Sequence, residues 1–276
     1  MTPRHRLVAA APSWVVAGLG GRVREVPVVH RGTHATYVDL GDRVVGVLSA
    51  AATAVPCGLR TTLPDLPPAL TAARRALVGG GHLDLDDTRV VVTRVVDMSV
   101  PRRLGHDHGT ARHLLAAVLG APDPDDPASS PLLGAVVAEL PPHALDLHAR
   151  ADPGAAGLLL GRGSGLTPLG DDVLCGALAT LVSAGVRTPA LTAAVLSLAP
   201  GRTTALSATL LGCAARGDVL AEHAALLRHL TDDPASADRL STAATALVRV
   251  GHTSGAGLLL GTTLALRHLA TRSTLR

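Results

Sequence analysis

The sequence predicts an α+β protein: a small β-containing N-terminal domain followed by an all-helical C-terminal domain that carries a glycine-rich loop. Three observations carry this. Residues 23–48 and 88–97 are β-branched runs punctuated by turn residues. From about residue 157 onward, apolar positions recur at helical spacing almost without a break. Between the two patterns, Ala121 to Ser130 (APDPDDPASS) is proline-rich, acidic and poor in apolar residues, and reads as an exposed linker. The expected division is 1–120 for the mixed β-rich domain and 131–276 for the helical one.

At 276 residues the chain is long enough to bury a full core. Hydrophobic residues make up 47%, yet there is no Phe, one Trp (Trp14) and one Tyr (Tyr37), so leucine, valine and alanine must build that core. The net charge is only +3, all of the positive charge is arginine, and no dense basic run or set of stacking aromatics is present. A nucleic-acid partner is therefore not expected. Cys57, Cys175 and Cys213 are odd in number and widely spaced, which argues against a disulfide framework and for a reducing, cytoplasmic location. No apolar run reaches the ~18 residues of a membrane helix. The stretch Leu7 to Gly20, following Arg4 and Arg6, mimics a signal peptide, but Pro12 and Ser13 interrupt it.

In chain order, Gly32 and Gly41-Asp42 mark turns within the first β region, where His30, Arg31 and His34 surround one turn as solvated loop side chains or ligand contacts. Residues 68–78 (PALTAARRALV) predict a helix with proline near its start, before the turn-like Gly79-Gly80-Gly81. His106, His108 and His113, in GHDHGTARH, have a spacing that suits a metal if Asp107 or a distant group completes the shell. Residues 131–150 predict helical segments broken at Pro141-Pro142. Thr188-Pro189 opens a helix that Pro200-Gly201 closes, and helices follow over 203–216, 219–230, 235–250 and 257–270.

The helical half is organised around Gly161 to Gly176, GRGSGLTPLGDDVLCG. Gly161, Gly163 and Gly165 allow positive φ and close approach to a ligand. The apolar face formed by Val173, Leu174, Ala177, Leu178 and Leu181 starts a helix directly behind them. Such a junction offers unpaired N–H groups and a positive dipole end to an anion. Asp171 and Asp172 stand at the same end and would repel an anion unless they cap the helix or hold a cation such as Mg²⁺ that carries it. In the plainer alternative, Asp171 or Thr167 is an N-cap and the glycines form a turn. With no lysine anywhere, a Walker loop and Schiff-base chemistry are excluded. Leu166 stands where a dinucleotide fingerprint needs its third glycine.

An internal echo links this stretch to Gly251-His252-Thr253-Ser254-Gly255: each is a Ser-Gly loop entering a helix with a glycine inside it, Gly176 in one and Gly261 in the other. The two loops are expected to lie together and line one pocket, with Thr204 and Ser207, three apart on a shared helix face, on its wall. The candidate anion-binding residues are thus Gly163, Ser164, Gly165, Gly170, Thr204, Ser207, Thr253, Ser254 and Gly255. Asp171, Asp172 and Thr167 are the candidate catalytic groups, the two aspartates doubling as possible Mg²⁺ ligands.

The pattern G-x-G-x-G-L-T-P-x-G-D-D, matched by Gly161, Gly163, Gly165, Leu166, Thr167, Pro168, Gly170, Asp171 and Asp172, resembles the signature of the AllH family, whose characterised type is a subunit of oxamate carbamoyltransferase. The resemblance extends to Thr203-Thr204-x-x-Ser207, to Gly251–Gly255 and to Gly261. It implies a carbamoyltransferase subunit of purine and allantoin catabolism, interconverting carbamoyl phosphate and oxamate with oxalurate and phosphate. It also implies a small anionic metabolite as ligand and other carbamoyltransferase subunits as partners. The Ser-Thr-Arg-Thr-Arg element of classical transcarbamoylases is absent, so such chemistry needs a different site. A non-catalytic metabolite-binding module and a scaffold subunit are the alternatives.

Overall fold

A computed structural model describes residues 5–102, 107–230 and 236–273. The architecture is α+β, with a β-rich N-terminal part and a helical C-terminal part. It divides into two compact units, Met1–Met98 and Ser99–Arg276, so the division falls ahead of the proline-rich stretch at which the sequence suggested it.

The first unit runs β1 (His5–Ala11), α1 (Ser13–Gly18), β2 (Arg24–Val26), β3 (Val28–Arg31), β4 (Ala35–Asp39), β5 (Val44–Leu48), β6 (Gly58–Arg60), α2 (Pro68–Thr71), β7 (Ala76–Gly79), β8 (His82–Leu85) and β9 (Thr88–Val95). These strands form one sheet in the order β2-β7-β8-β9-β1-β6-β5-β4-β3, with β1–β9 and β5–β6 parallel and the other pairs antiparallel. The signal-like stretch supplies strand β1, paired between β9 and β6, and then α1; Pro12 is the N-cap of that helix. Ala9, Val15, Leu19, Val38, Val45, Leu59, Leu70 and Leu83 are buried in one aliphatic cluster, with Trp14 packed against it. At the β8–β9 pair, Asp84 faces Arg89 in register and receives two guanidinium bonds of 2.8 and 2.9 Å.

The helix predicted over 68–78 is corrected. Only Pro68–Thr71 is helical, and Ala76–Gly79 is strand β7, in register with both β2 and β8. Apolar Ala76 and Val78 gain more by pairing with two strands than the segment's helix propensity offers. The residues around the first turn are engaged locally: His34 lies 3.0 Å from Asp65, Arg31 donates to the Ala73 carbonyl, and His30 packs beside Tyr37.

The second unit contains α3 (His108–Val118), a 3-10 turn at Pro127–Ser129, α4 (Gly134–Ala138), α5 (Pro142–Ala149), α6 (Gly154–Leu159), α7 (Leu169–Ser183), α8 (Pro189–Arg202), α9 (Ala205–Arg216), α10 (Ala221–His229), α11 (Ala237–Val248) and α12 (Ser254–Ser273). Its first residues pair with the segment after α9: Val100 donates to the Gly217 carbonyl, and Ser183 donates to that of Pro101. Residues 121–130 belong to this unit, with Pro122, Asp123, Asp125, Asp126 and Ala128 exposed as the sequence suggested. Pro127 and Ser130 are buried, and the Ser130 hydroxyl bonds the Leu119 carbonyl that ends α3. Pro200 does not close α8, which continues to Arg202 with the proline inside its last turn. No helix among the described residues is long and apolar enough to cross a membrane. The three cysteines are buried, and none of them is in a disulfide.

Candidate functional site

The core of the second unit is the crossing of α7 and α12. A Cβ on Gly176 would stand 2.1 Å from the Leu258 carbonyl oxygen, one on Gly261 2.0 Å from that of Val173, and one on Gly257 2.8 Å from the Asp172 Cβ. Backbone meets backbone at Gly176 and Gly261, so the helical glycines of both echoed segments serve close helix packing. This contact brings the start of α12 against the start of α7. There the two Ser-Gly loops are joined by a 2.9 Å hydrogen bond between the hydroxyls of Thr167 and Ser254.

Neither Asp171 nor Thr167 caps α7. The N-cap is Pro168, in an extended conformation, and the aspartates are the third and fourth helical residues. The Asp171 side chain instead organises the loop. Fully buried, its Oδ1 accepts from the Gly161 N–H at 2.8 Å, while its Oδ2 accepts from the Ser207 hydroxyl at 2.7 Å and from that of Thr203. One carboxylate thus ties the first glycine of the loop to the start of α9. Thr204 caps α9 by accepting from the Ser207 N–H at 3.0 Å, and donates to the Leu166 carbonyl at 2.6 Å. Ser207 is therefore buried against Asp171 rather than set on a cleft wall, and Thr203, not among the sequence candidates, completes the arrangement. Its signal was present as the first residue of the Thr-Thr-x-x-Ser element.

Gly161, Gly163 and Gly165 have φ of 72°, 110° and 92°. At Gly163 a Cβ would also lie 2.7 Å from the Leu169 nitrogen. The donors that the helix end was expected to offer are largely taken: Gly170 N–H bonds the Arg162 carbonyl, and Asp171 and Asp172 N–H bond that of Pro168. The loop takes over this role. Among the described residues, the N–H groups of Gly163, Ser164, Gly165, Leu166 and Thr167 find no hydrogen-bond partner. Gly163, Ser164, Gly165 and Leu166 are exposed, and Thr167 is half-buried. Successive free N–H groups on a backbone that repeatedly enters positive φ form a concave donor surface suited to a phosphate or carboxylate.

Asp172 contrasts with its neighbour. It is 5% exposed, and its Oδ2 is buried without a hydrogen-bond partner. Burial pushes its carboxyl pKa up to about 8, the Ser254 hydrogen bond opposing and the Asp171 charge adding to the rise. A carboxyl in that state is largely neutral at pH 7, which relieves the repulsion of an anion by paired aspartates. Burial, with Asp172 close by, also pushes the Cys175 thiol well above its usual range, so it is not a thiolate nucleophile.

Of the remaining candidates, Ser164 is exposed on the loop. The Thr253 carbonyl accepts from the Gly257 N–H, and Gly255 packs where a Cβ would lie 1.8 Å from the Leu247 carbonyl oxygen. Among the described residues no group of three or more His, Cys, Asp or Glu stands together as a metal site. The donors on both Asp171 oxygens leave Asp172 as a poor start for the all-oxygen shell of Mg²⁺. In the histidine segment, Asp107 caps α3 through Thr110, and His108 and His113 lie on that helix; His106 lies outside the described residues. A separate cavity of about 530 Å³ lies at the other end of α7, lined by Leu178, Leu181, Val186, Arg187, Thr192 and Leu196 among others.

Residues 159–266 match the sequence model of the family described as oxamate carbamoyltransferase subunit AllH. The matched stretch runs from the end of α6 through most of α12 and contains the glycine-rich loop, both aspartates, Thr203, Ser207 and Ser254. No curated protein and no solved structure matches the chain.

Proposed function

We propose that the helical unit holds a small anionic metabolite at the glycine-rich loop and works as a carbamoyltransferase subunit of the AllH kind, moving a carbamoyl group between phosphate and oxamate alongside partner subunits. The observation that carries this reading is the run of five unpartnered N–H groups from Gly163 to Thr167, held in place by the buried Asp171. Carbamoyl transfer needs the phosphate bound and the charge developing on the carbamoyl oxygen stabilised. Preorganised backbone donors supply both without a lysine. Thr167, Ser164 and Ser254 add hydroxyls beside them, and the carboxyl of Asp172, pushed up to about 8 by burial, adds little negative charge to that of Asp171 at pH 7.

The test is twofold. Carbamoyl phosphate or inorganic phosphate should raise the thermal stability of the full chain, and Gly163→Ala should abolish that rise, since its Cβ would collide with the backbone of Leu169. Oxalurate phosphorolysis should then appear when the partner subunits are added. Stabilisation without turnover in the reconstituted assembly would favour a binding module instead, and the absence of both would leave a scaffold. The in-helix glycines at the α7–α12 crossing already suit a scaffold, whereas the unpartnered loop donors have no purpose in one.

A further inference from the structure

We propose that the cavity at the far end of α7 is a second binding site of the helical unit, which takes a monocarboxylate with an aliphatic body. Arg187 holds the carboxylate, and the chain lies along Leu178, Val186 and Leu196. This site does not depend on the glycine-rich loop, which stands at the other end of α7, about 20 Å away at about 1.5 Å of rise per residue. The cavity measures about 530 Å³, within the range of about 300–1,000 Å³ that small-molecule sites occupy. It is framed by the last turns of α7, residues 185–188 and the first turns of α8, with Ala215 of α9 completing the wall.

Most of that wall is leucine, valine, alanine and proline. Among the described residues no acidic group lines it, and Arg187 is its one cation. Three polar side chains reach it, those of Arg187, Thr188 and Thr192, and among the described residues none of them has a hydrogen-bond or ionic partner. The two hydroxyls stand out within this unit. Thr188 is the N-cap of α8 yet accepts from no backbone N–H, whereas Thr204 caps α9 through the Ser207 N–H. Thr180, Thr209 and Thr262 each donate to the carbonyl four residues back, and Thr192 does not. Val182 and Leu196, 36% and 41% exposed, leave large apolar surface at the rim that an aliphatic chain would cover. An apolar wall with a few unengaged polar groups is the composition of a ligand site. The polar groups also set the ligand class. A lone guanidinium presents two parallel N–H donors that match the two oxygens of a carboxylate, and the hydroxyls can donate to its remaining lone pairs. A phosphate dianion would meet only one cation there, and the wall has no aromatic ring on which a nucleobase could stack.

The experiment is a calorimetric titration of the full chain at neutral pH with straight-chain carboxylates from butyrate to decanoate. Affinity should rise roughly fourfold for each methylene buried and level off once the chain outgrows the cavity. Arg187→Gln, at an exposed position with no partner to lose, should weaken octanoate about tenfold to a hundredfold and leave the binding of uncharged octanol unchanged. Ala193→Trp, also at an exposed position, should block octanoate by filling the cavity while the unfolding transition stays that of the wild type. In a two-dimensional amide spectrum, octanoate should shift the resonances of Val186, Arg187 and Thr192 and leave those of Gly163 to Thr167 in place. Octanoate binding that survives both substitutions, shifts confined to the loop, or no saturable binding by the folded wild type would overturn the proposal. So would a wild-type dimer that Ala193→Trp dissociates, which would give the cavity and its apolar rim to a second copy of this chain.

Discussion

Replacing Asp172 by asparagine should make the protein more stable while it alters the site, and the gain should grow with pH. In the folded chain burial pushes this carboxyl up to about 8 from its ordinary value of 3.8. A carboxyl with a raised folded pKa contributes stability that is fully present below the unfolded value and is lost as pH rises toward the folded one. At pH 7 about three of the four units are already lost, on the order of 4 kcal/mol at ~1.36 kcal/mol per unit, taken as a ceiling because the residue is 5% exposed and relaxation lowers the penalty. Asparagine has no charge to lose. Its second N–H finds no evident acceptor, which returns ~1–3 kcal/mol. The net expectation is near zero at about pH 5 and a gain of ~1–3 kcal/mol at about pH 8, or roughly 5 °C in Tm for a unit of this size. Thermal and urea denaturation of both proteins at these pH values measures it. A variant less stable than the wild type at pH 8, or a difference independent of pH, would refute the assignment of Asp172 as a buried carboxyl held neutral.

Asp171→Asn should behave in the opposite sense, losing ~2 kcal/mol or more at neutral pH by urea denaturation, because an amide N–H₂ would face one of the three donors that converge on this side chain. His223 is fully buried, bonds Thr262 of α12, and has its pKa lowered by burial from 6.5 to about 4. Stability from this group is present above pH 6.5 and lost as pH falls toward 4, up to ~3 kcal/mol, and His223→Gln should flatten that acid limb in equilibrium unfolding. Gly261→Ala should destabilise by ~1–3 kcal/mol through overpacking of the helix crossing. Gly212→Ala should instead stabilise by up to ~1 kcal/mol, because its nearest neighbour is the flexible end of Arg216 at 3.6 Å. Equal effects at the two glycines would contradict the packing described.

The order of elements was readable wherever local pattern and tertiary context agree. The β-branched run over 88–97 became β9, helical periodicity after Gly161 became α7, and the Ser-Gly loop at 251–255 became the entry to α12. Failures came where long-range pairing decides. Ala76 to Gly79 has the composition of a helix end and becomes a strand because β2 and β8 flank it. Pro200 stays inside α8, and Pro127 is buried within an otherwise largely solvated stretch. At the site, the glycines, hydroxyls and aspartates were all visible, but their division of labour was not. Asp171 and Asp172 are adjacent and chemically identical. Only the fold shows that one faces three donors and the other faces Ser254 with an oxygen left over. The sequence also put the free N–H groups at the helix end, whereas the turn after Pro168 takes them up and leaves those of the loop.

The loop's role is tested most directly by a two-dimensional amide spectrum of the full chain titrated with inorganic phosphate. The N–H resonances of Gly163, Ser164, Gly165, Leu166 and Thr167 should move together along one saturating curve and shift to the low field of newly hydrogen-bonded amides, with Gly170 and Asp172, already bonded, moving little. Saturable shifts confined to other parts of the helical unit, or no shift in these five amides, would contradict the assignment of the glycine-rich loop as the anion site.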